Sequence, residues 1–321
     1  MDKDERSAIN FDEVTNMTDK LLPSEIISVI NSRLDESRIY ELRIRTAQPI
    51  VVNYGGRYYY LGKNGLADKS DCAFVAGEGL VKSIVVKATE FSLYSVNNQL
   101  SKGFITIEGG VRLGICGETV RDGDGIKTIK DFTSVNVRFP HEINGCSLTA
   151  LAYIDDTRMR SALIVAPPGA GKTTILRDLC KQITRNGIKN VLLVDERSEI
   201  AAVHDGAAQL DVGNTTDVIS NCTKDYAFSC GIRSMRPDVI ITDELMSEAD
   251  FKAVADAVSG GVEVIASIHA STPEELFTRA GFKTLYDKKV FSRYVFLSDR
   301  KGPGTYENVY DGDMKCIYFA S

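Results

Sequence analysis

The stretch that decides the fold is APPGAGKTT, residues 166–174. It matches the phosphate-binding loop pattern G-x-x-x-x-G-K-[ST] except at the first position, where alanine replaces glycine. The apolar run SALIV (161–165) precedes it, and ILRDLCKQITRN (175–186) follows it with apolar residues at helical spacing. The motif therefore lies between a predicted buried strand and a predicted helix, which is the setting that a working phosphate-binding loop requires.

Backbone N–H groups at the start of this helix are expected to bind the phosphates of a nucleotide. The predicted nucleotide-binding residues are Pro168, Gly169, Ala170, Gly171, Lys172, Thr173 and Thr174. We expect Lys172 to reach the β- and γ-phosphates and the Thr173 hydroxyl to be a ligand of Mg²⁺. Gly187 is placed to end the helix in the left-handed conformation. Ala166 is compatible with this function if its φ is negative, because a positive φ would strain an alanine.

Two further apolar runs each end in a pair of acidic residues. NVLLVDE ends in Asp195 and Glu196, and PDVIITDE ends in Asp243 and Glu244. Ligands of parallel α/β sheets bind beyond the carboxyl ends of the strands, so both pairs are expected beside the phosphate-binding loop. Helix capping or a surface turn is the alternative interpretation of either pair alone.

The acidic residues and the next strand suggest a hydrolytic site. Asp243 would belong to the Mg²⁺ shell, and Glu244 would polarise the water that attacks the γ-phosphate. Glu196 is the next candidate for the role of Glu244. The following strand, VEVIASIH, ends in His269, which we expect to contact the γ-phosphate and to report its loss, although a lone histidine is more often structural.

Strands that alternate with helices predict an α/β fold for the second half of the chain. We assign residues 148–321 to a RecA-like P-loop ATPase core, a parallel sheet with flanking helices, and residues 1–147 to a smaller α+β domain. Gly-Gly pairs at 55–56 and 109–110 predict hairpins in that first domain. Arginines occur on or beside the polar faces of its predicted strands, at Arg43, Arg45, Arg112, Arg121 and Arg138. Solvated strand residues are the ordinary interpretation, unless an anionic ligand lies opposite.

Composition excludes several classes of function. The 321 residues carry a formal net charge of −6, which argues against a nucleic-acid binder held by phosphate contacts. The seven cysteines and three histidines show no zinc-binding spacing, so reduced thiols of a cytoplasmic protein are expected. No apolar run approaches the ~18–20 residues that cross a bilayer. We therefore expect no direct membrane insertion, and any membrane role would come through partners.

The order and spacing of the motifs resemble the stage III sporulation protein AA family of endospore-forming bacteria. That family is related to the ATPases of type II and type IV secretion and of pilus retraction. The resemblance rests on ELRIR, GFITIEGGVRLGICGE, SVNVRF, APPGAGKTT, VDERSEI, IRSMRPDVIITDE, ASIHAS and FSRYVFLSDRKGPGTYENVYD. It implies a homo-oligomeric ring, a hexamer, that hydrolyses ATP with Mg²⁺. The ring would work in the mother-cell cytoplasm, at the membrane face, with membrane proteins of the sporulation channel.

The same resemblance implies roles for individual residues. The acidic box of the secretion ATPases corresponds to Asp195 and Glu196, which makes Asp195 a further candidate for the metal shell. Glu244 corresponds to the Walker B glutamate and His269 to the histidine box. In those enzymes arginines of the N-terminal domain approach the nucleotide, a role implied for some of Arg43, Arg45, Arg112 and Arg138, with Arg112 placed among the catalytic candidates.

Two other functions fit the same motifs. The chain could be a nucleotide-dependent assembly scaffold with little turnover, since a scaffold needs the same phosphate-binding loop. It could also be a RecA-like translocase on single-stranded nucleic acid, which the acidic composition disfavours. The sequence departs from the family pattern at Ala166, at Val111 where histidine is expected, and at Leu245-Met246-Ser247 after the second acidic pair.

Overall fold

The computed structural model describes residues 19–89, 97–101, 103–123, 125–185, 189–279 and 281–319, so that Gly187 lies outside the described residues. The described residues divide into two compact units. The N-terminal unit contains residues 19–141 and 203–209, and the C-terminal unit contains residues 142–202 and 210–319. Each unit has its own sheet.

The N-terminal unit is an α+β structure around a seven-stranded sheet. Its helices are α1 (Ser24–Arg33), α2 (Leu80–Ala88) and α3 (Asn97–Leu100). Its strands are β1 (Ile39–Arg45), β2 (Val51–Tyr54), β3 (Arg57–Gly62), β4 (Gly65–Ala67), β5 (Phe104–Thr106), β6 (Arg112–Asp122) and β7 (Gly125–Arg138). The strand order is β4-β3-β2-β1-β7-β6-β5, and every neighbouring pair is antiparallel.

Period-two alternation sorts the side chains of this sheet between two faces. Leu42 and Ile44 of β1 are fully buried in the core of the unit, where Val137 lies opposite Leu42. Strand register places Arg138 opposite both Glu41 and Arg112, so these residues share the other face. Arg43 and Arg45 follow Glu41 at steps of two and lie on that face as well. The four arginines thus occupy the polar face of one sheet.

The C-terminal unit is an α/β structure around an eight-stranded sheet. Its helices are α4 (Leu148–Ile154), α5 (Lys172–Arg185), α6 (Lys224–Met235), α7 (Glu248–Ser259), α8 (Pro273–Phe277) and α9 (Phe282–Asp287). Its strands are β8 (Ala162–Val165), β9 (Val191–Asp195), β10 (Thr216–Ser220), β11 (Val239–Glu244), β12 (Glu263–Ile268), β13 (Arg293–Ser298), β14 (Thr305–Asp311) and β15 (Cys316–Phe319).

The strand order of this sheet is β10-β9-β11-β12-β8-β13-β14-β15. The six strands from β10 to β13 pair in parallel, and β14 and β15 add an antiparallel edge. Strands β8 and β9 are buried along their whole length, as expected for parallel strands with both faces covered. Because the strands are parallel, the ends of β8, β9, β11 and β12 meet at one edge of the sheet. That edge carries the predicted site.

Candidate active site

The phosphate-binding loop connects β8, which ends at Val165, to α5, which begins at Lys172. Gly169 and Gly171 have φ of +78° and +86°, conformations that glycine adopts without strain. Ala166 is not among the described non-glycine residues with positive φ. Its N–H instead donates to the carbonyl of Ile268 at 3.2 Å, which extends the pairing of β8 with β12. The condition for an alanine at this position is therefore met.

The side chain of Lys172 is folded back over the loop and is only 8% exposed. Its Nζ donates to the carbonyls of Ala166 at 2.8 Å and Pro167 at 3.0 Å. The same Nζ lies 2.6 Å from Nδ1 of His269. Burial lowers the pKa of Lys172 to about 8, against the opposing effect of the Glu244 charge. Two loop carbonyls thus accept from the ammonium group, and the imidazole of His269 lies beside it.

His269 joins this lysine to the acid at the end of β11. Its Nε2 lies 3.2 Å from Oε1 of Glu244. If Nδ1 accepts from the Lys172 ammonium, Nε2 carries the proton and donates to Glu244. The other carboxylate oxygen of Glu244 lies 3.8 Å from Nη1 of Arg197. Three predicted site residues therefore form one polar chain, Lys172–His269–Glu244, that starts at the phosphate-binding loop.

A second cluster surrounds Lys224, the first residue of α6. Its Nζ lies 2.6 Å from Oε2 of Glu196 and 2.9 Å from Oδ1 of Asp243. Burial would lower the pKa of Lys224, but the two carboxylates outweigh it and raise that pKa. Burial raises the pKa of Asp243 to about 6, against the attraction of Lys224, so this carboxyl is still ionised at neutral pH. Lys224 is not among the site residues predicted from the sequence.

Asp195 has a different environment from the other predicted acids. It is fully buried, and its Oδ1 accepts from the N–H of Glu199 at 2.9 Å. Its Oδ2 accepts from the N–H groups of Ile200 at 3.1 Å and Ala201 at 2.9 Å. Burial raises the pKa of Asp195 despite these donors. Both carboxylate oxygens therefore hold the turn after β9, a geometry that favours loop shaping over the predicted contact with a metal.

The remaining predicted residues of the loop differ in exposure. Pro168 and Gly169 are exposed, Ala170 is buried, and Thr173 and Thr174 at the start of α5 are half-buried. The carbonyl of Ala170 accepts from the N–H of Gly304 at 3.0 Å. Gly304 belongs to the loop between β13 and β14, and no site role was predicted for this loop from the sequence. A Cβ on Gly171 would lie 3.1 Å from the nitrogen of Gly304, so this loop packs directly on the phosphate-binding loop.

A cleft of about 590 Å³ opens beside Glu244 and His269. Met246, Phe251 and Arg279 also line it. The guanidinium of Arg279 donates to the carbonyl of His269 at 2.6 Å and thereby fixes the backbone at the end of β12. Glu244 is accordingly only partly buried, with 19% of its side chain exposed, and a water molecule can reach it from this cleft.

The donor chemistry of the site fits Mg²⁺ that arrives with a nucleotide. Across the described ranges, no three His, Cys, Asp or Glu side chains could hold a metal ion by themselves. Mg²⁺ bound through substrate phosphates needs only one or two protein oxygen ligands. The hydroxyl of Thr173 and the carboxylate of Asp243 are ligands of that kind.

The predicted arginines lie in the N-terminal unit. Arg43 donates through Nε to Oε1 of Glu41 at 2.7 Å, and the guanidinium of Arg112 lies 3.7 Å above the ring of Phe104. Arg45 and Arg138 are exposed. The strand face that carries them is confirmed, whereas contact of any of them with a nucleotide stays a prediction.

Comparisons with known proteins show the family of the chain. The family model described as "Sporulation stage III, protein AA" matches residues 13–317. The chain is 35% identical over 280 residues to stage III sporulation protein AA of Bacillus subtilis (strain 168), which covers 86% of this chain and 87% of that protein. In the parts of the chain that the structure describes, no helix is both long and apolar enough to span a membrane.

Solved structures with a similar fold include an ATPase and a pilus retraction motor. The chain is similar to the Legionella pneumophila ATPase DotB, with a TM-score of 0.52, 14% identity and coverage of 92% of this chain and 78% of that one. It is also similar to the pilus retraction motor PilT with bound ADP, with a TM-score of 0.57, 13% identity and coverage of 85% and 76%. These low identities show a shared fold alone. The family match, by contrast, spans most of the chain, and the chain belongs to the Sporulation stage III, protein AA family.

Proposed function

We propose that the chain is an ATP-hydrolysing motor of the secretion type that acts in sporulation. The observation that carries this proposal is the polar chain Lys172–His269–Glu244, which links the phosphate-binding loop to an acid facing a cleft. The fold shared with DotB and with ADP-bound PilT supports it. We further propose that residues 148–321 form a RecA-like core and that residues 1–147 form a smaller α+β domain.

ATP would bind with its phosphates at the start of α5, where unpaired N–H groups and the helix dipole favour anions. Lys172 would then leave the carbonyls of Ala166 and Pro167 and donate to the β- and γ-phosphates. Burial lowers the pKa of Lys172 to about 8 despite the Glu244 charge, and phosphate oxygens would raise that pKa and further favour the ammonium form. Thr173 and Asp243 would hold Mg²⁺, which would supply positive charge to balance the phosphate oxygens.

Glu244 would position and polarise the water that attacks the γ-phosphate, with Glu196 as the alternative. When Lys172 turns to the phosphates, His269 loses that donor but stays beside Glu244. One side chain therefore connects occupancy of the loop to the residue that holds the water. Arg112 would balance charge on the γ-phosphate, and Arg43, Arg45 and Arg138 are further candidates for that contact.

At the level of assembly, we propose a homo-oligomer, a hexameric ring, in which neighbouring subunits complete each site. The ring would lie in the mother-cell cytoplasm and reach the membrane through proteins of the sporulation channel, without binding nucleic acid. Hydrolysis would power or assemble that channel. A nucleotide-dependent scaffold with little turnover is the second candidate, and stimulation of ATP turnover by the membrane partner would separate a motor from it.

The experiment that tests the hydrolytic role is Glu244→Gln in the full chain. Glutamine keeps the shape of the side chain but cannot polarise the water, so we expect steady-state ATP turnover to fall by at least ~100-fold. ATP affinity, measured by calorimetry with Mg²⁺, should stay within about threefold of that of the unmodified chain because Lys172 and the loop are unchanged.

Glu196→Gln is the matched control, since Glu196 is the other partly exposed glutamate at the carboxyl ends of the strands. If turnover survives in Glu244→Gln and collapses in Glu196→Gln, the roles of the two glutamates are reversed. A chain that binds ATP but shows no turnover above background, with or without the membrane partner, is a scaffold.

A further inference from the structure

The most unusual feature of the acidic edge is a buried cation that belongs to the protein. Lys224 is 3% exposed, yet its ammonium contacts the carboxylates of both Glu196 and Asp243. These acids come from the ends of two neighbouring parallel strands, β9 and β11. The ammonium thus lies between two carboxylates, the position in which a free divalent cation would otherwise be held.

Lys224 is fixed at this place by the helix that it begins. Ala227 and Phe228 on the first turns of α6 are buried, and α6 packs against β9. The long side chain therefore runs from an anchored backbone into the acidic edge. The Lys224 ammonium is covalently attached beside Glu196 and Asp243. A free divalent ion, by contrast, must bind from solution and lose part of its hydration shell.

We propose that Lys224 is a tethered counter-cation that excludes free divalent cations from the Glu196–Asp243 pair, so that Mg²⁺ enters the site only together with a nucleotide. This inference rests on the proposed function, because it concerns the same acidic edge. Lys224 is a positioning residue in this account. It bridges the two carboxylates and partly neutralises them until phosphates arrive with their own cation.

The test measures binding of Mn²⁺ to the full chain without nucleotide. Bound Mn²⁺ is detected as a decrease of the free-ion signal in electron paramagnetic resonance. Mn²⁺ prefers the same oxygen ligands as Mg²⁺ and is directly observable. Lys224→Met removes the charge but keeps an unbranched side chain, and we expect Mn²⁺ to bind at least about tenfold more tightly than to the unmodified chain. Lys224→Arg keeps the charge and should leave Mn²⁺ binding weak.

A matched control is available on α5. Lys181 is also 3% exposed, and its Nζ contacts the carboxylate of Asp211 at 2.5 Å and the amide oxygen of Asn144 at 2.8 Å, so that among the described residues it forms an ion pair with one carboxylate. Lys181→Met should therefore not create an Mn²⁺ site. Equal Mn²⁺ affinity in the unmodified chain and in Lys224→Met would overturn the proposal, and so would an equal gain in Lys181→Met.

Thermal unfolding keeps the proposal testable if Lys224→Met is poorly folded. Two carboxylates left without their cation repel each other, and a bound divalent ion should compensate. We expect Mn²⁺ to raise the melting temperature of Lys224→Met, or to restore its folding, but to leave Lys181→Met unchanged. No effect of Mn²⁺ on Lys224→Met would contradict the proposal.

These measurements contain no ATP, so their outcome is separate from that of the proposed function. A chain that never hydrolyses ATP could still gain an Mn²⁺ site in Lys224→Met, which would refute the motor and keep the counter-cation. If the chain hydrolyses ATP but Lys224→Met leaves the Mn²⁺ affinity unchanged, the motor is supported and the counter-cation is refuted.

Discussion

At the scale of single residues, the phosphate-binding loop separates positions that need glycine from one that does not. Gly171 has a positive φ, and an added Cβ would lie 3.1 Å from the nitrogen of Gly304. Gly169 also has a positive φ, but an added Cβ there would meet no atom within 4 Å. Ala166 has neither problem, because its backbone continues the pairing of β8 with β12. Gly169 and Gly171 therefore differ in one respect, which is that only Gly171 packs against the β13–β14 loop.

This difference predicts unequal effects of two alanine substitutions. Gly169→Ala should cost only the strain of the left-handed conformation, roughly 1 kcal/mol in the free energy of unfolding. Gly171→Ala should cost more than that and should also weaken ATP binding by at least about tenfold, because the loop must shift away from Gly304. Chemical denaturation and calorimetry with ATP would measure both. Equal losses in the two variants would show that the contact with Gly304 is unimportant.

At the scale of elements, one buried carboxylate on β1 of the N-terminal unit joins that strand to β7 and, across β2, to β3. Glu41 accepts from Asn136 on β7 at 2.9 Å, from Tyr58 on β3 at 2.7 Å and from Arg43 at 2.7 Å. Burial acts to raise the pKa of Glu41, but these three hydrogen bonds outweigh it and the net pKa is lowered. The carboxylate form therefore stabilises the folded unit and holds Arg43 on the polar face.

The lowered pKa gives the stability of this unit a defined pH dependence. The contribution of Glu41 is complete above its unfolded pKa and is lost as the pH falls through the lower folded pKa. We expect Glu41→Gln to lower the free energy of unfolding by about 1–3 kcal/mol at neutral pH. Urea denaturation should show this difference shrinking as the pH falls below about 4.5.

Glu118→Gln on the same sheet is the control, because the ion pair of Glu118 with Lys130 is exposed and should contribute little to stability. A penalty for Glu41→Gln that is the same at neutral and acidic pH would contradict the assignment of the stabilising effect to the carboxylate.

The individual strands show how far the sequence could predict the fold and the site. Strands β8, β9, β11 and β12 were predictable, because continuous apolar runs that end in polar residues are typical of buried parallel strands. Strand β10 was missed because TDVIS is only partly buried and carries no clear periodicity. The positions of Glu244 and His269 follow from strand ends, which depend on local sequence alone.

The partners of those residues could not be predicted, because they depend on pairs far apart in the chain. Nothing in TKDYAFSCGIR indicates that the lysine of this segment contacts Glu196 and Asp243. Asp195 shows the opposite case, since its position was predicted but its three backbone donors come from the shape of the following turn. The contact of Gly304 with Ala170 likewise arises only when β13 pairs with β8.

At the scale of the whole molecule, the chain belongs to the Sporulation stage III, protein AA family, and we propose that it works as a nucleotide-driven ring. The C-terminal unit contains the phosphate-binding loop, the acid Glu244 that we propose positions the water, and the buried Lys224. In the proposed ring, arginines of the N-terminal unit would contact the nucleotide of a neighbouring subunit. A ring is the arrangement in which every subunit gives and receives such contacts.

The most direct test of this central claim is the mass of the full-length particle in solution, measured with and without a non-hydrolysable ATP analogue and Mg²⁺. Binding between subunits should be linked to nucleotide binding, so the analogue should shift the population toward the larger species. We predict a hexamer when the analogue is present. In Lys172→Ala, which lacks the phosphate-binding ammonium, we predict that the hexamer is less populated or absent. A strict monomer under all conditions would contradict the central claim.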